Sequence, residues 1–214
     1  MKNETEESRA LKLIKWIADQ GIGGYASFSG SEVLASEYLI DQGYENNHER
    51  VDSLINWETS KNFTSGFITG LGGLLTLPIA IPASIGASWI IQARLAGAIA
   101  KIYGHSLDED RVRTFVILSI IGDSGKEVLK RAGITGSKKI AQAAISRVPG
   151  KTLIEINKLV GTRLLTKAGT TGVVNLTKVV PILGGLVGGG IDAISCRAVG
   201  RTAKHLFRTK DLDE

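Results

Sequence analysis

Residues 62–93 read NFTSGFITGLGGLLTLPIAIPASIGASWIIQA and contain no Asp, Glu, Lys or Arg. A membrane is the first reading, since roughly 20 apolar helical residues cross the roughly 30 Å hydrocarbon layer. Pro78 and Pro82 push Leu77 and Ile81 out of the helical region, so the run divides into two arms of a hairpin. At about 1.5 Å per residue, 66–76 reaches roughly 16 Å and 82–93 about 18 Å, and neither spans alone. The run therefore permits a re-entrant hairpin, one kinked span, or two close-packed core helices. A mean hydropathy of +0.10 and 22% charged residues favour a soluble or peripheral protein.

The rest of the chain reads as helix. Aromatics make up 6% of its 214 residues, strand-like alternation is missing from nearly every segment, and apolar residues recur at spacings of three and four. We expect an all-α, compact multi-helix domain built around the Gly/Pro-rich apolar hairpin and a second Gly-rich apolar helix. One cysteine, Cys196, excludes an internal disulfide and reads as a small core residue. The opening MKNETEESRALK is too acidic and polar for a secretory signal peptide. The expected location is cytoplasmic, peripheral to or partly inserted in the inner membrane.

Asn3 can cap a helix over 4–20 with Ala10, Leu13, Ile14 and Ile17 as its apolar stripe. GIGGYASFSG breaks it. The next helix, 31–42, presents Val33, Leu34, Tyr38 and Leu39; a third, from Asn47, presents Val51, Leu54, Ile55 and Trp57. Residues 1–60 thus form a helical preface, 61–207 the main helical domain and 208–214 a polar tail. Within the main domain the spacing predicts helices over 82–103, ending at Gly104, then to 121 from a cap at Ser106 or Asp108. Further helices follow at 126–132, 137–147, 151–166, 173–179 and 182–207. Gly66 and Gly70, and likewise Gly184 and Gly188, stand four apart, which lets two helix backbones approach closely, and Gly73 joins the first set. We expect the two Gly-rich segments to pack on each other. Arg94, on the otherwise apolar hairpin arm, needs an acid, with Asp192 the leading candidate.

Charge is uneven: net −5 through Asp123 and +10 from Ser124 onward. Basic residues of the second half, among them Lys138, Lys139 and Arg147, alternate with Leu, Ile and Val at helical spacing, which suits an anionic membrane surface or lipid. Nucleic acid is disfavoured because the strip lacks interleaved aromatics.

No catalytic set is recognisable, and no cofactor or metal is expected. GDSGKE (122–127) fails as a phosphate loop, which needs glycine where Ile120 stands and Ser or Thr where Glu127 stands. The same Ser124 fails as a nucleophile elbow, and the Gly-rich runs lack the flanking strands of a dinucleotide site. His48, His105 and His205 are dispersed. His105, Asp108 and Asp110 offer N and O donors, but acids at a helix start are better explained by its dipole.

Three blocks in order resemble the EcsC family of bacterial proteins over roughly residues 50–207: TSGFITGLGGLLTLPIAIPASIGASWIIQARLAGAIAKIYG, LDEDRVRTFVILSIIG and RVPGKTLIEINKLVGTRLLTKAGTTGVVNLTKVVPILGGLVGGGIDAIS. That family is named for a protein encoded beside an ABC transporter, and its members are usually described as membrane-associated or of unknown function. The resemblance supplies no catalytic residues. It implies a candidate polar or ligand site among Gln92, Arg94, Asp108, Asp110, Arg113, Lys178 and Asp192. The function expected is a non-enzymatic, membrane-associated helical protein, accessory to a transporter or other membrane process and with a membrane-protein partner. The alternatives are a soluble domain whose apolar cavity binds a lipid, with hydrolytic activity from the acidic cluster, and a glycine-zipper protein that permeabilises membranes.

Overall fold

The computed structural model describes residues 5–25, 28–63, 83–134, 145, 148–177 and 184–208, with side chains undescribed at 61–63, 83–84, 170–177 and 184–192. The protein is all-α apart from one minimal hairpin. Helix α1 (Glu6–Gly23) leads into strands β1 (Gly24–Tyr25) and β2 (Phe28–Ser29), then α2 (Ser31–Leu39) and α3 (Asn47–Phe63). After them come α4 (Ala83–Ile102), α5 (Asp110–Ile120), a 3-10 turn (Gly122–Ser124), α6 (Gly125–Arg131), α7 (Gly150–Thr177) and α8 (Gly184–Phe207).

Helix α4 is the centre. It packs against α1, α2, α3, α5 and α8, and Ala87, Trp89, Ile90, Ile91, Leu95, Ile99 and Ile102 are all buried. A helix apolar on every side must be enclosed, and here the other helices enclose it. The second arm of the charge-free run is thus core. The first arm, with Gly66, Gly70, Gly73, Pro78 and Pro82, lies outside the described residues, so its packing against the Gly184–Gly188 turn of α8 does too. Of the expected helix at 137–147 only Ile145 is described, and it is helical and buried.

Local signals explain most boundaries. Gly104 (φ 84°) closes α4 with its N–H on Lys101 O (2.9 Å) while His105 N–H reaches Ala100 O (3.0 Å). This is the paired bond of a left-handed glycine stop. Gly133 ends α6 in the same way, through Lys130 O (3.1 Å) and Leu129 O (2.8 Å). Helix α1 begins later than Asn3 would set it: Thr5 is the cap, its Oγ1 accepting from Ser8 N–H (3.2 Å). At the start of α5 the cap position is Glu109, with no side-chain bond, in place of Ser106 or Asp108. The two helices expected at 151–166 and 173–179 are one, α7. Thr166 Oγ1 donates to Thr162 O (2.9 Å) within the helix, and Gly169 there only weakens it by about 1 kcal/mol relative to alanine.

Two stripes are corrected. In α2 the buried residues are Ser31, Leu34 and Ala35, whereas Val33 is 54% exposed and Leu39 40%. In α3 the buried series is 51, 54, 55 and 58, the three-four-seven spacing of one helix face, so Glu58 continues the stripe and Trp57 turns outward at 57% exposure.

The preface joins the core directly: α1 packs on α4 and α7, α2 on α4, and α3 on α8 and α4. The α1–α4 approach is backbone to backbone. A Cβ at Gly21 would stand 2.5 Å from Ala93 Cβ and 2.9 Å from Ile90 O, and one at Gly97 would strike Ser31 Oγ. Gly21→Ala is therefore expected to cost about 1–3 kcal/mol as overpacking. Gly169→Ala, where nothing stands within 4 Å of an added Cβ, should stabilise by about 0.5–1 kcal/mol. Urea melts of the two variants check both signs.

Candidate functional site

Arg94 places a charge in the middle of the central helix. Its side chain is only 8% exposed and that of Glu58, on α3, 1% exposed, with Nη1 3.6 Å from Oε2. Nε donates to Ser29 O (2.6 Å) and Nη2 to Ser29 Oγ (3.0 Å), while the Phe28 ring lies under the guanidinium, centroid 4.5 Å from Cζ. The helix backbone is held at the same point, for Ser31 Oγ donates to Arg94 O (3.0 Å) and lies 3.3 Å from Gly21 O. A buried guanidinium is tolerable only when its donors are met and its charge is paired, and this arrangement does both. Burial lowers the Arg94 pKa from its ordinary value, and Glu58 opposes that shift. The acid facing Arg94 is thus Glu58. The Asp192 side chain, the leading candidate from sequence, lies outside the described residues.

The charge of the same carboxylate acts on the phenol of Tyr38 on α2. Burial first, then the negative charge of Glu58, pushes the Tyr38 pKa up to about 12. Arg50 fixes the adjoining loop by donating from Nε to Tyr38 O (3.0 Å) and from Nη2 to Asp41 O (3.2 Å).

The other sequence candidates are dispersed around this centre. Gln92 is two residues from Arg94, about 200° round the helix, and so faces the opposite way. Its Nε2 lies 3.1 Å from Ser88 Oγ and 3.1 Å from Ser195 Oγ, joining α4 to α8. Arg113, on α5, pairs with Asp19 of α1, and Asp19 also holds Lys15 at 2.9 Å. Asp110 and Arg113 both line a groove of about 450 Å³ between α1, α5 and α7. Asp108 is exposed. His105 directs Nε2 to Phe207 O (2.8 Å), and no metal-binding group of His, Cys, Asp and Glu forms among the described residues. Cys196 is buried and unbridged. Lys178, Lys138, Lys139 and Arg147 lie outside the described residues.

Glu58 is the residue that sequence reasoning missed. Its signal was the stripe 51, 54, 55, 58, which forces a buried acid and hence a buried base elsewhere.

The model of the EcsC protein family matches residues 28–212. The chain belongs to the EcsC family. The match begins at Phe28, earlier than the resemblance at about residue 50, and so takes in Phe28, Ser29, Ser31, Glu58 and Arg94, every side chain of the centre just described. No curated protein and no solved structure shows significant similarity to the chain.

Removing one partner of the pair leaves a buried charge. Glu58→Ala or Arg94→Ala should each cost about 3–5 kcal/mol, while a Glu58→Leu/Arg94→Met double variant should lose much less. Chemical denaturation of the three variants gives the comparison. For Tyr38, the folded pKa exceeds the unfolded one, so the native state holds more protons between them. Stability from this residue is present below the unfolded value of 10 and lost as pH rises towards about 12. An ultraviolet titration should show Tyr38→Phe lacking one late-ionising phenol that the unmodified chain has, and the substitution should flatten the alkaline loss.

Proposed function

We propose that this EcsC-family chain is a non-enzymatic peripheral membrane protein, accessory to a transporter or another membrane process. The observation that carries the reading is the division of the charge-free run. Residues 83–102 are consumed by the core as α4, which leaves 64–82, still free of charged residues, as the part that meets lipid. No described helix is long and apolar enough to cross a membrane.

The net +10 from Ser124 onward supplies the electrostatic half. Part of that charge serves the fold: Arg131 and Arg163 each lie 2.8 Å from Glu127, and Lys158 2.9 Å from Glu7. Lys130, Lys151, Arg197 and Arg201 are exposed and have no ion-pair partner among the described residues. With Lys138, Lys139 and Arg147 they form the set that meets anionic headgroups, each worth about 1 kcal/mol near such a surface.

Sedimentation with phosphatidylglycerol vesicles tests this. The chain should pellet at low salt and be released at high salt, and reversing Lys138, Lys139 and Arg147 to Glu should weaken binding at least about a hundredfold. A chain that stays in the supernatant at low salt overturns the reading. Carbonate washes of membranes from expressing cells separate surface attachment, which they release, from insertion of residues 64–82, which resists them.

A further inference from the structure

The segment GDSGKE, residues 122–127, fits no nucleotide-binding motif, yet it borders a cavity of about 410 Å³. The opposite wall is α8, which packs on the 3-10 turn of that segment. Along α8 the lining positions are 198, 201, 202, 205 and 206, the three-four spacing of a single helix face. Gly122, Gly125, Lys126 and Leu129 line the other side. Leu118, 1% exposed, and Leu206, 5%, give the cavity a buried apolar floor. Gly122 (φ 55°) makes the turn out of α5, and a Cβ added there would meet nothing within 4 Å.

Charge sets this cavity apart from its neighbours. A groove of about 310 Å³ between α1, α6 and α7 is lined by Arg131, Lys158 and Arg163, and each is paired, with Glu127, Glu7 and Glu127 respectively. In the groove between α1, α5 and α7, Lys15 and Arg113 both hold Asp19. The α6–α8 cavity differs. Arg201 and His205, one helical turn apart on its wall, make no side-chain hydrogen bond or ion pair with a described residue. Lys126 lies 3.3 Å from Asp123, but with side chains 81% and 95% exposed that pair is weakly held against water. Asp123 is the one acid of the lining. Thr202 adds no donor, since its hydroxyl is spent on Ala198 O (2.9 Å). A guanidinium with its donors unused, beside an ammonium and an imidazole and above an apolar floor, suits an anion that carries an apolar part. Phosphate matches it best, because the planar fork meets two of its oxygens at once.

We propose that this cavity binds a phosphate ester with an apolar substituent. Arg201 and Lys126 take the phosphate oxygens, the His205 ring donates to them, and the substituent lies against Leu118 and Leu206. An imidazole has an N–H to give whether neutral or protonated. The contacts are made by side chains, which agrees with the failure of GDSGKE as a phosphate loop. The phosphate belongs either to a lipid headgroup or to a soluble phosphoester. In the first case the proposal rests on the anionic-surface reading, of which Arg201 is already part; a soluble probe tests the cavity without any membrane.

Isothermal titration of the full chain with hexyl phosphate tests the proposal, at constant ionic strength and with inorganic phosphate and 1-hexanol as controls. Saturable binding of hexyl phosphate in roughly the millimolar range is expected, at least about tenfold tighter than that of inorganic phosphate, with none of hexanol. Arg201→Gln should weaken it about tenfold and Lys126→Gln in the same direction, whereas Asp123→Asn should strengthen it. Lys151→Gln, at an exposed cation of α7 outside the cavity, should leave it unchanged. All four positions are exposed, so unchanged thermal melts will show that folding is intact. No saturable binding, equal affinity for inorganic phosphate, or an Arg201→Gln effect no larger than that of Lys151→Gln would overturn the proposal. Phosphatidylglycerol vesicles then identify the source. Sedimentation competed by hexyl phosphate, and weakened more by Arg201→Gln than by Lys151→Gln, indicates the headgroup; hexyl phosphate binding with neither effect indicates a soluble phosphoester. Failure of the surface reading shows instead as no sedimentation at low salt, whatever hexyl phosphate does.

Discussion

A charge in the middle of the most buried helix constrains everything packed around it. Arg94 could be replaced by an aliphatic residue without loss of apolar burial, so its presence has to be met by the surroundings. The short β1–β2 ladder shows how. Two paired residues per strand, Gly24 with Ser29 and Tyr25 with Phe28, give an isolated hairpin almost no stability of its own. It holds because Ser29 offers the guanidinium a carbonyl and a hydroxyl while Phe28 offers its ring. Gly24 at φ 95° turns the chain out of α1 to reach that place, and Gly30 brings β2 against the backbone at Ile22. Ser31 then ties the start of α2 to the carbonyl of Arg94 itself. One side chain thus organises α1, the hairpin, α2 and α3 around α4.

The helices were legible because their signals are local. A three-four spacing in α1 and α3, glycines at 104 and 133, and the absence of alternation all act within a few residues. The failures have equally local causes. Asn3 and Thr5 are both acceptable caps, and which one serves depends on where the first turn begins. The helices expected at 151–166 and 173–179 are one because no proline stands between them, and Gly169 by itself does not end a helix. Val33, Leu39 and Trp57 are apolar residues off the buried face, which the choice of stripe misplaced by a residue.

The centre was half legible. That Arg94 needs an acid follows from its apolar neighbours alone; which acid does not, because pairing depends on which helices face each other. Asp192 stood near a glycine cluster that suggested close packing, whereas Glu58 stood on a helix whose packing on α4 had no signature. The periodicity of α3 carried the missing information, since an acid at the fourth position of a buried stripe requires a base within the core. The cavity between α6 and α8 was not legible in any motif. It depends on two helices far apart in the chain, which bring Arg201 and His205 to the same cavity as Lys126.

The buried pair also bears on how residues 64–82 can act, because the helices on either side of them, α3 and α4, are the two that Glu58 and Arg94 join. Drawing α4 out of the core would separate that pair, at about 3–5 kcal/mol. It would also expose Ile90, Ile91, Leu95 and Ile99, each worth about 1.5–3 kcal/mol when buried. The sum rivals the whole stability of an ordinary domain, about 5–15 kcal/mol. On the membrane reading proposed above, contact with a bilayer would therefore fall to the segment while α4 stays in place. A membrane reading of this chain is consequently one of attachment: the apolar stretch whose sequence first suggested a span is, over its second half, the pillar on which the rest of the protein is assembled.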